Sequence, residues 1–236
     1  MSHEYRFSFG PWNIHEGADP FGPAVRPSVD FGVKLKSYKQ LGFDGVQFHD
    51  DDAVPDLEGK SAAEMQRQAQ EVRKMLEGEG LVAEFVAPRL WEHASGIDGG
   101  YTANDPAVRR WAIERSKRAI DIARQLNTRL IVLWLAREGT YVRESKNALD
   151  SHRYLLEAIN AMLQHDGEIE IAIEPKPNEP TDHAYVPTIG HALALAQQTA
   201  DPRRVGGLIE TAHALLAGLD PRSEEHTSEL QSPYVI

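Results

Sequence analysis

The sequence predicts an α/β protein in which buried strands alternate strictly with helices. Short apolar runs have the alternation or the continuity of buried strands, and the longer segments between them carry apolar residues at helical spacing. Strand–helix units that recur about every forty residues predict parallel strands joined by helical crossovers.

The first half of the chain begins with a short strand candidate at Tyr5–Gly10. Asp30 can cap the helix that follows and runs to residue 41. Asp44–Phe48 and Leu81–Val86 are the next strands, separated by a helix at Ser61–Glu79 with apolar residues at helical spacing. Glycine follows both helices directly, as expected at a helix end.

In the second half, Asn104 can cap a helix with Pro106 in its first turn, which runs to about residue 126. The near-continuous apolar run Arg129–Trp134 predicts a strand buried on both faces. The remaining elements are a helix at Ser145–Gln164, a strand at Glu168–Ile173, a helix at Pro187–Thr199 and a strand at Val205–Ile209.

Units of this kind form either a doubly wound open sheet or a (β/α)8 barrel. No glycine-rich dinucleotide fingerprint follows the first strand, which favours the barrel. Barrel enzymes place their chemistry at the C-terminal ends of the strands, and the unusual residues of this sequence lie there. Because only six strands fit, we predict a TIM barrel truncated after about six β/α units.

The end of the chain differs from the rest. Arg222–Ser232 shares no periodicity with the preceding sequence and resembles the in-frame translation of a common sequencing-adapter DNA. An ordinary polar tail is the alternative. We expect residues 1–221 to form one partial barrel domain and residues 222–236 to be a non-native tail.

Composition excludes several classes of function. The 236 residues are 41% hydrophobic and 26% charged, as in soluble globular proteins. A net charge of −11 disfavours nucleic-acid or anionic-membrane partners. Without cysteine, neither disulfides nor thiolate chemistry is available. No signal peptide or membrane span is recognisable, so we expect a cytoplasmic protein.

The most informative motif follows the fifth strand, where Glu174, Lys176 and Glu179 are separated by prolines. Proline fixes φ and restricts the residue before it, so these charges lie on a stiffened backbone. Such an arrangement suits fixed ligands, although a charged turn is the commoner structure. His49-Asp50-Asp51-Asp52 ends the second strand, and there His49 could act as acid or base with Asp52 holding its tautomer. A solvated acidic turn is the alternative.

Glu210 and His213 follow the sixth strand three residues apart, a spacing that lets both side chains reach one metal ion. Together with Glu174 they would suit Mg²⁺, Mn²⁺ or Co²⁺, because oxygen and imidazole ligands favour such ions. The alternative is the start of a surface helix. Trp134, at the end of the fourth strand, and Trp91, in the long loop 88–102, could line a pocket or belong to the core.

These motifs, in this order, resemble xylose isomerase, most closely its shorter, actinobacterial-type class. The similarity spans about Phe7 to Leu219. Its motifs are Asp19-Pro20-Phe21-Gly22, His49-Asp50-Asp51-Asp52, Asp98-Gly99-Gly100-Tyr101-Thr102, Trp134 with Arg137-Glu138-Gly139, Glu174-Pro175-Lys176-Pro177-Asn178-Glu179-Pro180 and Glu210-Thr211-Ala212-His213.

The resemblance implies an aldose–ketose isomerase that converts D-xylose to D-xylulose by a hydride shift after ring opening, with two divalent cations per subunit. The implied catalytic residues are His49, which assists ring opening, Asp52, which orients it, and Lys176, which hydrogen-bonds the sugar carbonyl. The implied metal ligands are Glu174, Glu210 and His213. The implied pocket walls are Trp91, Trp134 and Phe21 of a neighbouring subunit, so the intact enzyme would be a homodimer or homotetramer.

Several positions depart from the family pattern and leave the preferred sugar open. The segment Trp12–Ala18 is one residue short, and His15 or Glu16 replaces a wall tryptophan. Leu135-Ala136 replaces a Gly-Gly pair, and Ala214 replaces a second glutamate.

The family's remaining metal-binding aspartates would follow Asp220. We therefore expect residues 1–236 to bind metal weakly and not to turn over sugar. Three alternatives remain. The first is a non-catalytic sugar-binding barrel, and the second is a related metal-dependent isomerase or epimerase of another sugar. The third is a metal-dependent DNA-repair endonuclease, which the net acidity disfavours.

Overall fold

The structure is a computed structural model that describes residues 5–13 and 25–222. Its strands are β1 (Ser8–Phe9), β2 (Gly45–His49), β3 (Val82–Ala87), β4 (Leu130–Trp134), β5 (Gly139–Thr140), β6 (Glu170–Glu174), β7 (His183–Ala184) and β8 (Val205–Gly207). Its α-helices are α1 (Phe31–Gln40), α2 (Asp50–Ala53), α3 (Ala62–Glu79), α4 (Pro106–Gln125), α5 (Ala148–His165), α6 (Ile189–Ala196) and α7 (Thr211–Leu216).

Six strands form one sheet in the order β1-β2-β3-β4-β6-β8, so the main strands follow one another as they do along the chain. The pairs β1/β2, β2/β3 and β6/β8 are parallel, as expected when helices connect successive strands. The α/β class and the six predicted strands are therefore confirmed. The short antiparallel pair β5/β7 was not predicted, because its strands are only two residues long.

Capping explains where two helices begin. The Asp30 carboxylate accepts a hydrogen bond from the Val33 amide at 3.1 Å, as the sequence predicts for α1. Ser61 and Glu64 form a capping box at the start of α3. The glycines after these helices, Gly42 and Gly80, adopt φ values of 88° and 68°, which favour glycine.

Some predicted boundaries are wrong for identifiable reasons. Asn104 does not cap α4: Pro106 is the first helical residue, so the cap is Asp105, whose carboxylate accepts from the Ala107 amide at 2.7 Å. Helix α5 begins at residue 148 rather than 145. Asn147 is its cap, because the Asn147 side chain accepts hydrogen bonds from the backbone amides of Leu149 and Asp150. Strand β8 ends at Gly207, two residues earlier than predicted.

The chain divides into two compact units. The first comprises the residues up to Ala87 with Arg118–Leu130, and its core includes the fully buried Tyr38, Phe48 and Leu76. The second comprises Pro88–Lys117 and the residues from Ile131 onward. Its core includes the fully buried Leu155, Ile159, Met162 and Ile173. The predicted tail lies almost entirely outside the described residues, so its boundary stays a prediction.

Within the described parts of the chain, no helix has the length and apolar character that crossing a membrane requires.

Candidate functional site

The pairing of β6 with β8 brings the predicted acidic residues together in the second unit. Ile173 lies opposite Gly207 in a parallel register, so the C-terminal ends of these strands are neighbours. Glu174 is the last residue of β6, and Glu210 follows β8 after a short connection. Gly207 has no room for a side chain, since a Cβ there would come within 2.1 Å of Ile189 Cδ1.

Glu210 and His213 occupy one helical turn, as the sequence predicts. Glu210 caps α7, and its Oε2 accepts a hydrogen bond from the His213 amide at 2.5 Å. The His213 imidazole Nδ1 lies 3.6 Å from that oxygen and 3.4 Å from Glu174 Oε1. All three predicted metal ligands therefore converge. Helix α7 has no buried residue, so Glu210 and His213 also stand at the start of a surface helix, as the alternative expects, and their role as metal ligands stays a prediction.

Burial perturbs the charges of these groups. Desolvation, followed by repulsion from Glu210, raises the pKa of Glu174 to about 8, although Lys176 acts in the opposite direction. Desolvation lowers the pKa of His213, against the attraction of Glu210. His213 Nδ1 is buried and has no hydrogen-bond partner among the described residues, although it lies within ion-pair distance of both carboxylates. An imidazole that is disposed to be neutral and whose ring nitrogen faces two carboxylates fits a metal ligand.

The donor types suit a divalent cation, because two carboxylates and an imidazole are ordinary ligands of Mg²⁺ and Mn²⁺. Two atoms that bind one ion at about 2.1 Å lie at most about 4 Å apart, and the distances from His213 satisfy this limit. Across residues 5–13 and 25–222, however, no group of three or more His, Asp or Glu residues is placed so that it could hold a metal ion by itself. The three residues constitute a partial ligand set.

Lys176 and the two predicted wall residues form a contiguous group beside these acids. The Lys176 side chain is almost completely buried, and its ammonium lies 4.9 Å from the centroid of the Trp134 ring. Trp134 is the last residue of β4, and Trp91 meets it edge-on with a centroid distance of 4.4 Å and an interplanar angle of 87°. Glu179 Oε2 is 3.8 Å from the Lys176 ammonium but is well exposed, so this ion pair contributes little.

His49 and Asp52 pair with each other in the first unit. His49 ends β2 and precedes α2, and its backbone amide donates to Asp52 Oδ2 at 2.9 Å. The same oxygen lies 3.0 Å from the His49 imidazole Nδ1, the contact expected of a residue that orients the ring. Asp50 is fully buried, so the alternative of a solvated acidic turn is wrong. The catalytic roles themselves stay predictions.

Sequence reasoning missed Trp12 as a partner of His49. The two rings stack with centroids 4.2 Å apart and an interplanar angle of 33°. Gly10 makes this possible, because a Cβ there would lie 2.3 Å from the Trp12 ring. A tryptophan directly after the first strand was the available signal. Phe21, predicted to line the pocket of a neighbouring subunit, lies outside the described residues. So do His15 and Glu16, one of which replaces a wall tryptophan of the resembled family.

The raised pKa of Glu174 predicts an unusual pH dependence of stability in metal-free buffer. Below the ordinary pKa of 4.5, the carboxyl is protonated in both the folded and the unfolded state. Above it only the unfolded chain loses the proton, so stability falls as pH rises towards 8, by up to about 3 kcal/mol at pH 7. Glu174→Gln should therefore stabilise the protein at pH 7 and leave its stability unchanged at pH 4.

Urea unfolding with EDTA at several pH values measures this difference. Glu114→Gln, which removes an exposed carboxylate on α4, controls for the loss of one charge. A stability difference between Glu174→Gln and the parent that does not change from pH 4 to pH 8 would contradict the prediction.

Several solved structures share this fold. D-psicose 3-epimerase in the presence of D-fructose is 18% identical, with a TM-score of 0.60 over 80% of this chain and 61% of that protein. The E. coli 3-keto-D-glucoside 4-epimerase is 15% identical, with a TM-score of 0.67 over 86% of this chain and 72% of that one. An AP endonuclease of family 2 from Brucella melitensis is 14% identical, with a TM-score of 0.70 over 98% and 78%. Identities this low show the fold alone.

A family model described as a xylose isomerase-like TIM barrel matches residues 35–235. The match covers most of the chain and confirms the predicted barrel class. It supports the family rather than xylose isomerase itself, so the closer resemblance stays a prediction. The chain belongs to the xylose isomerase-like TIM barrel family.

Proposed function

We propose that this chain belongs to a metal-dependent sugar isomerase or epimerase, and more specifically to an aldose–ketose isomerase of the D-xylose to D-xylulose type. The observation that carries the proposal is the convergence of Glu174 and Glu210 on the Nδ1 of His213, a buried atom that makes no hydrogen bond among the described residues. The names of the two epimerases that share the fold give sugars as their substrates. This chain spans 61% of the length of the first and 72% of the length of the second.

In this proposal Glu174, Glu210 and His213 would hold divalent cations, two per intact subunit, with Mg²⁺, Mn²⁺ or Co²⁺ as candidates. Such ions, when bound, polarise the oxygens of the sugar as Lewis acids. The protein contributes a neutral imidazole at His213, and Glu174 becomes a ligand once its proton is released.

The remaining residues bind, orient and protect the sugar. His49, with its Nδ1 held by Asp52, acts as acid or base in ring opening. Lys176 donates a hydrogen bond to the sugar carbonyl, and Trp134 packs against its ammonium. Trp91 and Trp134, with Phe21 from a neighbouring subunit, exclude water, so that hydrogen passes between adjacent carbons as hydride without exchange.

The same site suits related reactions on other sugars, because residues near the pocket differ from the resembled class. Leu135 and Ala136 are buried directly after the strand-end tryptophan, and Ala214 follows His213. A cytoplasmic homodimer or homotetramer with a small aldose substrate completes the proposal. The shared fold with an AP endonuclease keeps DNA repair as an alternative, which the net charge of −11 disfavours.

Metal binding tests the ligand set directly. His213→Ala should weaken Mn²⁺ binding at least about tenfold, because it removes the nitrogen that faces both carboxylates. Paramagnetic relaxation of water protons, at millimolar Mn²⁺ if the parent binds weakly, measures the affinity of residues 1–236. His152→Ala, on the exposed face of α5, is the matched control. Equal Mn²⁺ affinity in the parent and His213→Ala would remove the basis of the proposal.

Sugar binding tests the role of Lys176. Lys176→Met keeps the aliphatic stem against Trp134 but removes the ammonium, and should weaken binding of D-xylose or D-fructose about tenfold, the value of one charged hydrogen bond. Quenching of tryptophan fluorescence measures the affinity. Lys117→Met, on α4, is the control.

Three outcomes of the sugar titration discriminate between the functions. Weaker binding by Lys176→Met, with turnover by a preparation that contains the whole natural protein, supports the isomerase. Weaker binding without turnover supports the non-catalytic sugar-binding barrel. Unchanged binding contradicts the role assigned to Lys176, and salt-sensitive binding of duplex DNA with an abasic site would then favour the endonuclease.

A further inference from the structure

In the second unit, the motif Arg137-Glu138-Gly139 contacts the motif Asp98-Gly99-Gly100-Tyr101-Thr102, and the proposed function gives this contact no role. Glu138, which follows Trp134 by four residues and is almost completely buried, accepts four hydrogen bonds from one loop. Its Oε1 accepts from the amides of Gly100 and Tyr101 at 2.9 and 3.1 Å. Its Oε2 accepts from the Thr102 amide at 2.9 Å and from the Thr102 hydroxyl at 2.6 Å. These bonds offset the cost of burying the carboxylate.

The glycines of the loop make this close approach possible. Gly99 has a φ of 86°, and a Cβ there would lie 2.8 Å from Thr102 Oγ1 and 3.2 Å from Glu138 Oε2. A Cβ at Gly100 would lie 3.3 Å from Glu138 Oε1. The Gly-Gly pair therefore gives the carboxylate direct access to consecutive backbone amides.

Two further contacts hold the same loop on either side of Glu138. The Arg137 guanidinium Nε donates to the backbone oxygen of Trp91 at 2.6 Å. The buried Lys146 ammonium donates to the backbone oxygens of Asp98 and Gly139 and lies 3.2 Å from the Asp98 carboxylate. The segment from Trp91 to Thr102 is thus attached at three points. Arg137 and Glu138 follow soon after β4, and Lys146 lies beyond β5.

We propose that Glu138 is a positioning residue that fixes the aromatic wall of the sugar site. Its carboxylate orders the loop, the loop holds Trp91 edge-on against Trp134, and Trp134 in turn packs against the Lys176 ammonium. Arg137 secures the backbone of Trp91 in the same arrangement. The consequence for sugar binding rests on the proposed function, whereas the geometry of the two tryptophans does not.

The experiment uses residues 1–236 with Glu138→Gln, Arg137→Lys, Trp91→Phe and the control Glu114→Gln. Glu138→Gln keeps the shape of the side chain but replaces one carboxylate oxygen, which accepts two hydrogen bonds, by an amide nitrogen that accepts none. Arg137→Lys keeps the charge and loses the Nε donor.

The tryptophan exciton band in circular dichroism reports the mutual orientation of Trp91 and Trp134. Trp91→Phe removes one of the two rings and therefore gives the spectrum without this band. Amide hydrogen exchange, urea unfolding and quenching by D-xylose and D-fructose are measured on the same proteins.

Glu138→Gln and Arg137→Lys should both lose most of the exciton band, so that their spectra approach that of Trp91→Phe. Amide hydrogen exchange at residues 100–102 should become at least about tenfold faster in Glu138→Gln. Sugar affinity should fall about tenfold or more in both. Loss of the band in Arg137→Lys without a change in unfolding free energy identifies positioning rather than general destabilisation. A full exciton band in both variants overturns the proposal. Failure of the parent to bind either sugar counts against the proposed function alone, because the band and exchange still decide the role of Glu138.

Discussion

The candidate site depends on one electrostatic constraint: two carboxylates, Glu174 and Glu210, and an imidazole approach each other where water is scarce. Burial and mutual repulsion raise the pKa of Glu174 to about 8, so the folded protein favours either a proton or a cation there. The same burial keeps His213 neutral and leaves its Nδ1 without a hydrogen-bond partner among the described residues. An ionised Glu174 lowers the stability of the folded protein, and a bound proton or cation at this place would restore it.

The architecture imposes this proximity. Parallel pairing of β6 and β8 aligns their C-terminal ends, and a short connection then places Glu210 as the cap of α7. The cap fixes the first helical turn, and with it the direction of His213. Each residue follows from an ordinary rule of sheet or helix geometry, and only their combination is unusual.

Much of this was predictable because it depends on local chemistry. Alternating apolar runs gave six strands, and Asp30 and Ser61 marked two helix starts. Strand ends in a parallel sheet must be neighbours, so Glu174, Glu210 and His213 could be grouped without coordinates. Pro106, as the first residue of α4, makes Asp105 rather than Asn104 the cap, and this effect of a single residue leaves no mark in the apolar periodicity.

Contacts between distant segments could not be read in the same way. Trp12 stacks on His49 because Gly10 leaves space for its ring, and nothing in the spacing of these residues requires that encounter. The antiparallel pair β5/β7 is likewise too short to leave a pattern. Motifs that resemble a family were recognised as sets, but only the structure shows that Gly99-Gly100 and Glu138 serve each other.

The contrast between Glu138 and Glu174 separates a structural acid from a candidate ligand-binding acid. Both are carboxylates near the ends of barrel strands, and both are largely withdrawn from water. Four donors from one loop compensate the first, so its charge is satisfied within the protein and is available for holding the loop. Glu174 instead faces another carboxylate and an imidazole, and Lys176 only partly offsets the cost of its charge, so its pKa stays raised. Burial alone would not distinguish these glutamates, whereas the identity of their neighbours does.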